Sequence, residues 1–196
     1  MQTKNQEISI NLSPLKFPCP QFVLTYNPCS SNIKSRQRLY DCCPYDNRIN
    51  KNGCDLMKVT IVDGQGGGIG KSIIERIDKL DGSKFEIIAL GTNSNATSAM
   101  IRSGANKGAT GENAIVVNAM KTDVIMGPIA ILIPNSIMGE ITPAMATAIG
   151  TSDALKILIP LNRCNVEIPG TSQFNINELL DYAVNELLSY YNAKKG

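Results

Sequence analysis

The densest chemical signal in this chain is one glycine-rich run, Gly64-Gln65-Gly66-Gly67-Gly68-Ile69-Gly70-Lys71-Ser72. Five of the seven residues from Gly64 to Gly70 are glycine. Without a Cβ, such a loop leaves its backbone N–H groups open to a ligand. Where the loop also opens a helix, its amides and the helix N-terminus favour an anion. Lys71 would then add a counter-charge and Ser72 a donor. Asp63, directly before the loop, is either a ligand contact or a cap for the loop's own amides. The pattern predicts a phosphate-bearing ligand on Asp63, Gly64, Gly66, Gly67, Gly68, Gly70, Lys71 and Ser72. The competing explanation is a tight turn whose glycines only allow close helix–strand packing. Five glycines followed by Lys-Ser exceed what packing needs.

Three nucleotide motifs can be tested against the run. No glycine triplet has the spacing G-x-G-x-x-G. A strict P-loop would need glycine where Gln65 stands. The Gly67 to Ser72 stretch resembles the deviant P-loop of the ParA/MinD class, but that class's signature lysine falls on Gly66. Gly64, Gly68 and Gly70 fit G-x-x-x-G-x-G and resemble the cofactor loop of short-chain dehydrogenases. The Tyr-x-x-x-Lys pair of that family matches only Tyr190/Lys194 and Tyr191/Lys195, in the last turn of the chain. A fraying helix end explains those better than catalysis does.

The loop must be positioned by its neighbours. Lys58 to Asp63 reads as a buried strand. Ile69, Ile73, Ile77 and Leu80 recur at helical spacing after the loop. Phe85 to Leu90 is a second strand, followed by a helix with Ala96, Ala99 and Met100 on one face. Glu112 to Met120 fits a short helix or a strand, with Thr110 at a capping position favouring the helix, and Asp123 to Pro128 reads as a strand. Ile131-Leu132-Ile133 and Ile157-Leu158-Ile159, each stopped by proline, read as two further buried strands. Thr142-Pro143 starts a short helix ending at Gly150. Asn175 and Glu178 form a capping box for a final amphipathic helix. Strands alternating with helices predict an α/β, Rossmann-like three-layer fold with a mostly parallel sheet.

Ligands in such folds bind beyond the carboxyl ends of the strands. The residues expected there are Asp63 and the loop, then Thr92 and Asn93, then Asn135, Ser136 and Glu140, then Asn162, Arg163 and Cys164. Asn and Ser are also ordinary turn and cap residues. Glu140 could simply favour the positive end of the following helix. Cys164 reads as an inert thiol, since no histidine exists to activate it. No acidic residue ends the second strand, where a ribose 2′-hydroxyl is usually bound; Gly91-Thr92-Asn93 stands there. That counts against NAD; the cofactor is not fixed by the sequence, and NADP, NAD or a mononucleotide remain the expectations.

The 196 residues have a formal net charge of +2 and 18% charged residues, which excludes a basic nucleic-acid coat. Histidine is absent, so His-based triads and His metal ligands are excluded, and no metal site is expected. Residues 1–56 hold five of the six Cys, five of the ten Pro and one of the sixteen Gly. They carry seven Lys/Arg against four Asp/Glu, whereas residues 57–196 carry 12 against 13. The first segment shows no sustained periodicity, no secretory pattern and no apolar run of membrane length. Met57 stands directly before the first strand and reads as the natural start. Residues 1–56 are expected to be an irregular extension, disordered or a mis-assigned start, and 57–196 the α/β domain.

The blocks VDGQGGGIGKS, EIIALGTNSNATSAMIRSGAN, GATGENAIVVNA and GEITPAMATAIGTSDALKILIPLNRC, in this order, resemble one short bacterial family, domain of unknown function 3842. The resemblance covers essentially residues 57–196. It implies a small Rossmann-like protein and carries no catalytic residues across. The functional expectation is a cytoplasmic protein binding a nucleotide or other phosphate-bearing ligand at Gly64 to Ser72. One alternative is an NAD(P)-dependent oxidoreductase or a phosphate-transferring enzyme, weakened by the missing acid/base machinery. Another is a regulatory or assembly subunit, its small helix 143–149 packing on a second copy. Nucleic-acid and membrane partners are not expected.

Overall fold

β1 (Met57–Asp63) is buried along its length except at Lys58, as a strand covered on both faces must be. The computed structural model describes residues 56–161 and 166–195. Residues 1–55, and with them the expected extension, lie outside the described residues. β1 turns through the glycine loop into α1 (Gly68–Asp81). Then follow β2 (Phe85–Gly91), α2 (Ser94–Arg102), β3 (Lys107–Thr110), α3 (Glu112–Ala119) and β4 (Val124–Pro128). After β4 come a 3₁₀ turn (Ile129–Leu132) and a single turn, α4 (Ser136–Gly139). The chain then runs through α5 (Pro143–Thr151), β5 (Leu155–Ile159) and α6 (Ile176–Lys195).

The five strands form one parallel sheet in the order β3-β2-β1-β4-β5. This is the doubly wound Rossmann order, in which the chain reverses its direction of travel on either side of β1. Helices cover both faces, giving three layers. On one face Ile73, Ile74 and Ile77 of α1, Met100 of α2 and Leu180, Val184 and Leu187 of α6 pack on Val59, Ile61, Ile87 and Met126. On the other, Ile115 and Ala119 of α3 and Met145, Ala146 and Ile149 of α5 pack on Val62, Ile88, Leu90 and Ile125. The apolar side chains of α5 are thus taken up by the chain's own core.

The helix starts follow from their caps. Asn93 Oδ1 accepts from Ala96 N at the start of α2, and Thr142 Oγ1 accepts from Met145 N ahead of Pro143 in α5. The capping box of α6 forms in both directions: Asn175 N donates to Glu178 Oε2 at 2.8 Å, and Glu178 N to Asn175 Oδ1 at 3.1 Å. Among the described residues no helix is long and apolar enough to cross a membrane.

One expectation about an element needs correction, and one element was not expected. Ile131-Leu132-Ile133 is not a strand: Ile129–Leu132 is a 3₁₀ turn with Ala130 buried and Ile131 in the second core. Pro128 ends β4 and has no N–H to extend the ladder. β5 already fills the sheet position beside β4. Conversely, β3 has no apolar run to announce it. It is a four-residue edge strand, Lys-Gly-Ala-Thr, with its residues largely exposed.

Candidate functional site

The carboxyl ends of β1 and β4 flank the point where the strand order reverses. A cavity of about 300 Å³ lies there. Its polar side is Asp63, Gly64, Gln65, Gly66 and Gly68, from the end of β1 and the start of α1. Its apolar side is Ile69, Pro128, Ala130, Ile137 and Leu161. Sequence reasoning named the first group apart from Gln65 and none of the second. Those five come from four separate segments and share no local pattern.

The glycines of the loop fall into two classes. A Cβ on Gly67 would come within 2.8 Å of the Ala96 backbone, and its φ of +68° is left-handed. A Cβ on Gly70 would collide with the Met100 sulfur, and one on Gly64 would sit 2.8 Å from Glu140 Oε2. Packing therefore accounts for these three. At Gly66 and Gly68 an added Cβ would meet nothing within 4 Å, and both residues line the cavity. Packing gives no reason for glycine at either.

Asp63 is buried and turned onto the loop. Its Oδ1 accepts from Gly64 N at 2.8 Å and its Oδ2 from Gly70 N at 2.7 Å. Burial pushes its pKa up, more than the amides of Gly70, Gly64 and Ile69 pull it down, and the charge of Glu140 adds to the rise. Of the two roles considered for Asp63, the geometry displays the cap. It takes the third amide of α1, while Gly68 N, an orphan donor of the first turn, belongs to a residue that lines the cavity.

Glu140 arrives from the turn after α4. Its Oε2 accepts from Gln65 N at 2.9 Å, from Asn93 Nδ2 at 3.0 Å and from the Thr92 hydroxyl. Burial raises its pKa, but the bonds from Thr92, Gln65 and Asn93 outweigh burial and hold it below the usual value. To reach this position the backbone is left-handed at Asn135, Ile137, Met138 and Gly139, with φ of 61°, 53°, 58° and 88°. Such a conformation is unusual for Ile and Met. Ile137 walls the cavity, whereas Met138 is 93% exposed.

The remaining predicted residues are dispersed. Lys71 is exposed, lies 3.7 Å from Glu75 in the next turn and does not line the cavity. Ser72 does not line it either, and its carbonyl accepts from Arg76. The Ser136 hydroxyl is buried and donates to the Ala130 carbonyl at 2.6 Å. Asn135 is exposed, and both it and Ser136 follow a 3₁₀ turn rather than a strand. Asn162, Arg163 and Cys164 lie outside the described residues, directly after Leu161. The Tyr-Lys pairs lie at the opposite end of the sheet. Tyr191 stacks edge-on with Phe85 at the start of β2, and Lys194 pairs with Asp123 just before β4.

The family model for Domain of unknown function (DUF3842) matches residues 58–192, all but the ends of the described domain. This chain belongs to that family. No curated protein and no solved structure matches it. The DUF3842 match spans the glycine loop, Thr92, Asn93 and Glu140, so every polar side chain of the cluster belongs to the family's domain.

Proposed function

We propose that this DUF3842 chain binds a nucleotide, or another ligand bearing a phosphate, in the cavity beyond β1 and β4. The phosphate sits on the N–H groups of Gly66 and Gly68. One observation carries this reading: at these two positions glycine leaves open space beside the main chain that none of the described residues uses. A loop shaped only by packing would tolerate a side chain there. The orphan amide of the α1 first turn and the dipole of that helix favour an anion at the same place. Lys71, exposed and beside Glu75, has no part in this arrangement.

The test uses Gly68→Ala. Alanine is the better helix former, by about 0.8–1.0 kcal/mol in a helix interior, and at this site it meets no neighbour. The variant is expected to melt at or above the wild-type temperature and to bind at least about tenfold more weakly, because the methyl stands over the amides. Wild-type protein at about 100 times Kd of NAD, NADP, ATP or ADP would gain about 2.7 kcal/mol, readable as a thermal shift. Lys71→Ala is expected to change affinity by less than about twofold. If millimolar concentrations of all four nucleotides leave the melting temperature unmoved, the nucleotide reading is wrong.

A further inference from the structure

We infer that Glu140 selects a ligand presenting free hydroxyl groups, such as a ribose diol, at the end of β2 and rejects one carrying a phosphate there. The inference rests on the nucleotide reading above and assigns its specificity.

In doubly wound folds an acidic side chain at the end of β2 accepts hydrogen bonds from the ribose hydroxyls, and cationic or donor groups take its place where the ribose is phosphorylated. β2 of this chain ends in Gly91-Thr92-Asn93 and supplies no acid. The fold supplies one from a different element. The Glu140 carboxylate is held at the end of β2 by Thr92 and Asn93, and at the loop by Gln65 N. It lies against Gly64, where a Cβ would leave it no room.

Its geometry is that of a group prepared to accept. All three donors converge on Oε2. Among the described residues Oε1 has no hydrogen bond, and Glu140 is half-buried rather than sealed. One oxygen thus fixes the carboxylate, next to Gly64 and Gln65 of the cavity wall, and the other is left without a hydrogen bond among the described residues. The same bonds turn the Thr92 hydroxyl and one hydrogen of the Asn93 amide toward Glu140, and Asn93 Oδ1 caps α2. The bonds to Glu140 keep it charged, so a 2′-phosphate would meet a fixed negative charge at the end of β2.

The experiment compares ligands that differ at this one position. Calorimetric titration of the full chain with NAD and NADP, and with ADP and 2′-deoxy-ADP, gives two ratios. NAD is expected to bind at least about tenfold more tightly than NADP, and ADP at least about tenfold more tightly than 2′-deoxy-ADP, as loss of a hydrogen bond to a charged group implies. Glu140→Gln, which removes the charge and keeps an acceptor oxygen, is expected to bring the NAD/NADP ratio to within about threefold of one while NAD still binds. NADP binding as tightly as NAD to the wild type overturns the selection by Glu140 and leaves the nucleotide site standing. Absence of binding by all four overturns both. If the glutamine variant does not fold, the two wild-type ratios decide alone.

Discussion

Two carboxyl groups meet at the loop with opposite tendencies. Glu140 is held below its ordinary pKa of 4.5 by donated hydrogen bonds that outweigh burial, whereas burial raises Asp63 above 3.8 despite the loop amides. The sign of each effect on stability follows by linkage. The contribution of Glu140 is fully present above pH 4.5 and is lost as pH falls through its lower folded pKa. The cost of burying charged Asp63 applies above its raised folded pKa and disappears as pH falls toward 3.8. Melting temperatures of wild type and Glu140→Gln, followed from pH 7 to pH 3, should differ most above 4.5 and converge below it. A gap that stays constant across that range would show that the charge of Glu140 contributes nothing to the fold. Asp63 was legible in the sequence because it adjoins the loop. Glu140 stood among the rim residues but offered an equally good local role, favouring the start of the next helix.

The turn from Asn135 to Glu140 is the element that delivers Glu140, and it does so against backbone preference. A left-handed residue other than glycine costs about 1–2 kcal/mol, and Ile137 and Met138 adopt that conformation in succession. Their side chains differ. Met138 is 93% exposed and has little packing to lose. Met138→Gly should therefore stabilise the chain by about 0.5–1 kcal/mol, net of glycine's extra freedom when unfolded, raising the melting temperature by about 1–4 °C. Ile137→Gly relieves the same strain but strips the cavity wall and the second core, so a lower melting temperature is expected from the same scan. Periodicity cannot announce a turn of this kind, because its conformation is imposed by what lies at each end. The 3₁₀ turn before it is a related case. An apolar run stopped by proline fits a buried strand, but the sheet position it would need is taken by β5.

At the scale of the molecule, the two cores draw nearly all the buried apolar side chains of the described residues, from Met57 to Tyr191. They close around one sheet whose strand reversal creates the cavity. A chain beginning at Met57 carries every residue named in the two cores and should fold with a melting temperature within about 2 °C of the full chain. Differential scanning calorimetry of the two chains checks this; a loss of several degrees would mean that residues before Met57 contribute to the cores. The docking of α6 joins the ends of the domain: Arg76 of α1 donates to Asp181 at 2.7 Å and to Asn177 at 2.8 Å. The same helix carries its Tyr-Lys pairs to the amino end of the sheet, far from the loop.

The sequence by itself determined the alternation of strands and helices, the caps of α5 and α6, and the presence of a glycine loop after β1. These depend on residues within about one helical turn of each other, where propensity, periodicity and capping act. Tertiary structure alone decided which glycines serve packing and which leave a cavity, because that depends on whether Ala96, Met100 or nothing stands opposite. It also decided that β3 belongs to the sheet, and that the acid missing from β2 comes from residue 140, held by donors 47 and 48 positions earlier in the chain. Contacts between segments so far apart are fixed by how the layers pack, and no local pattern records them.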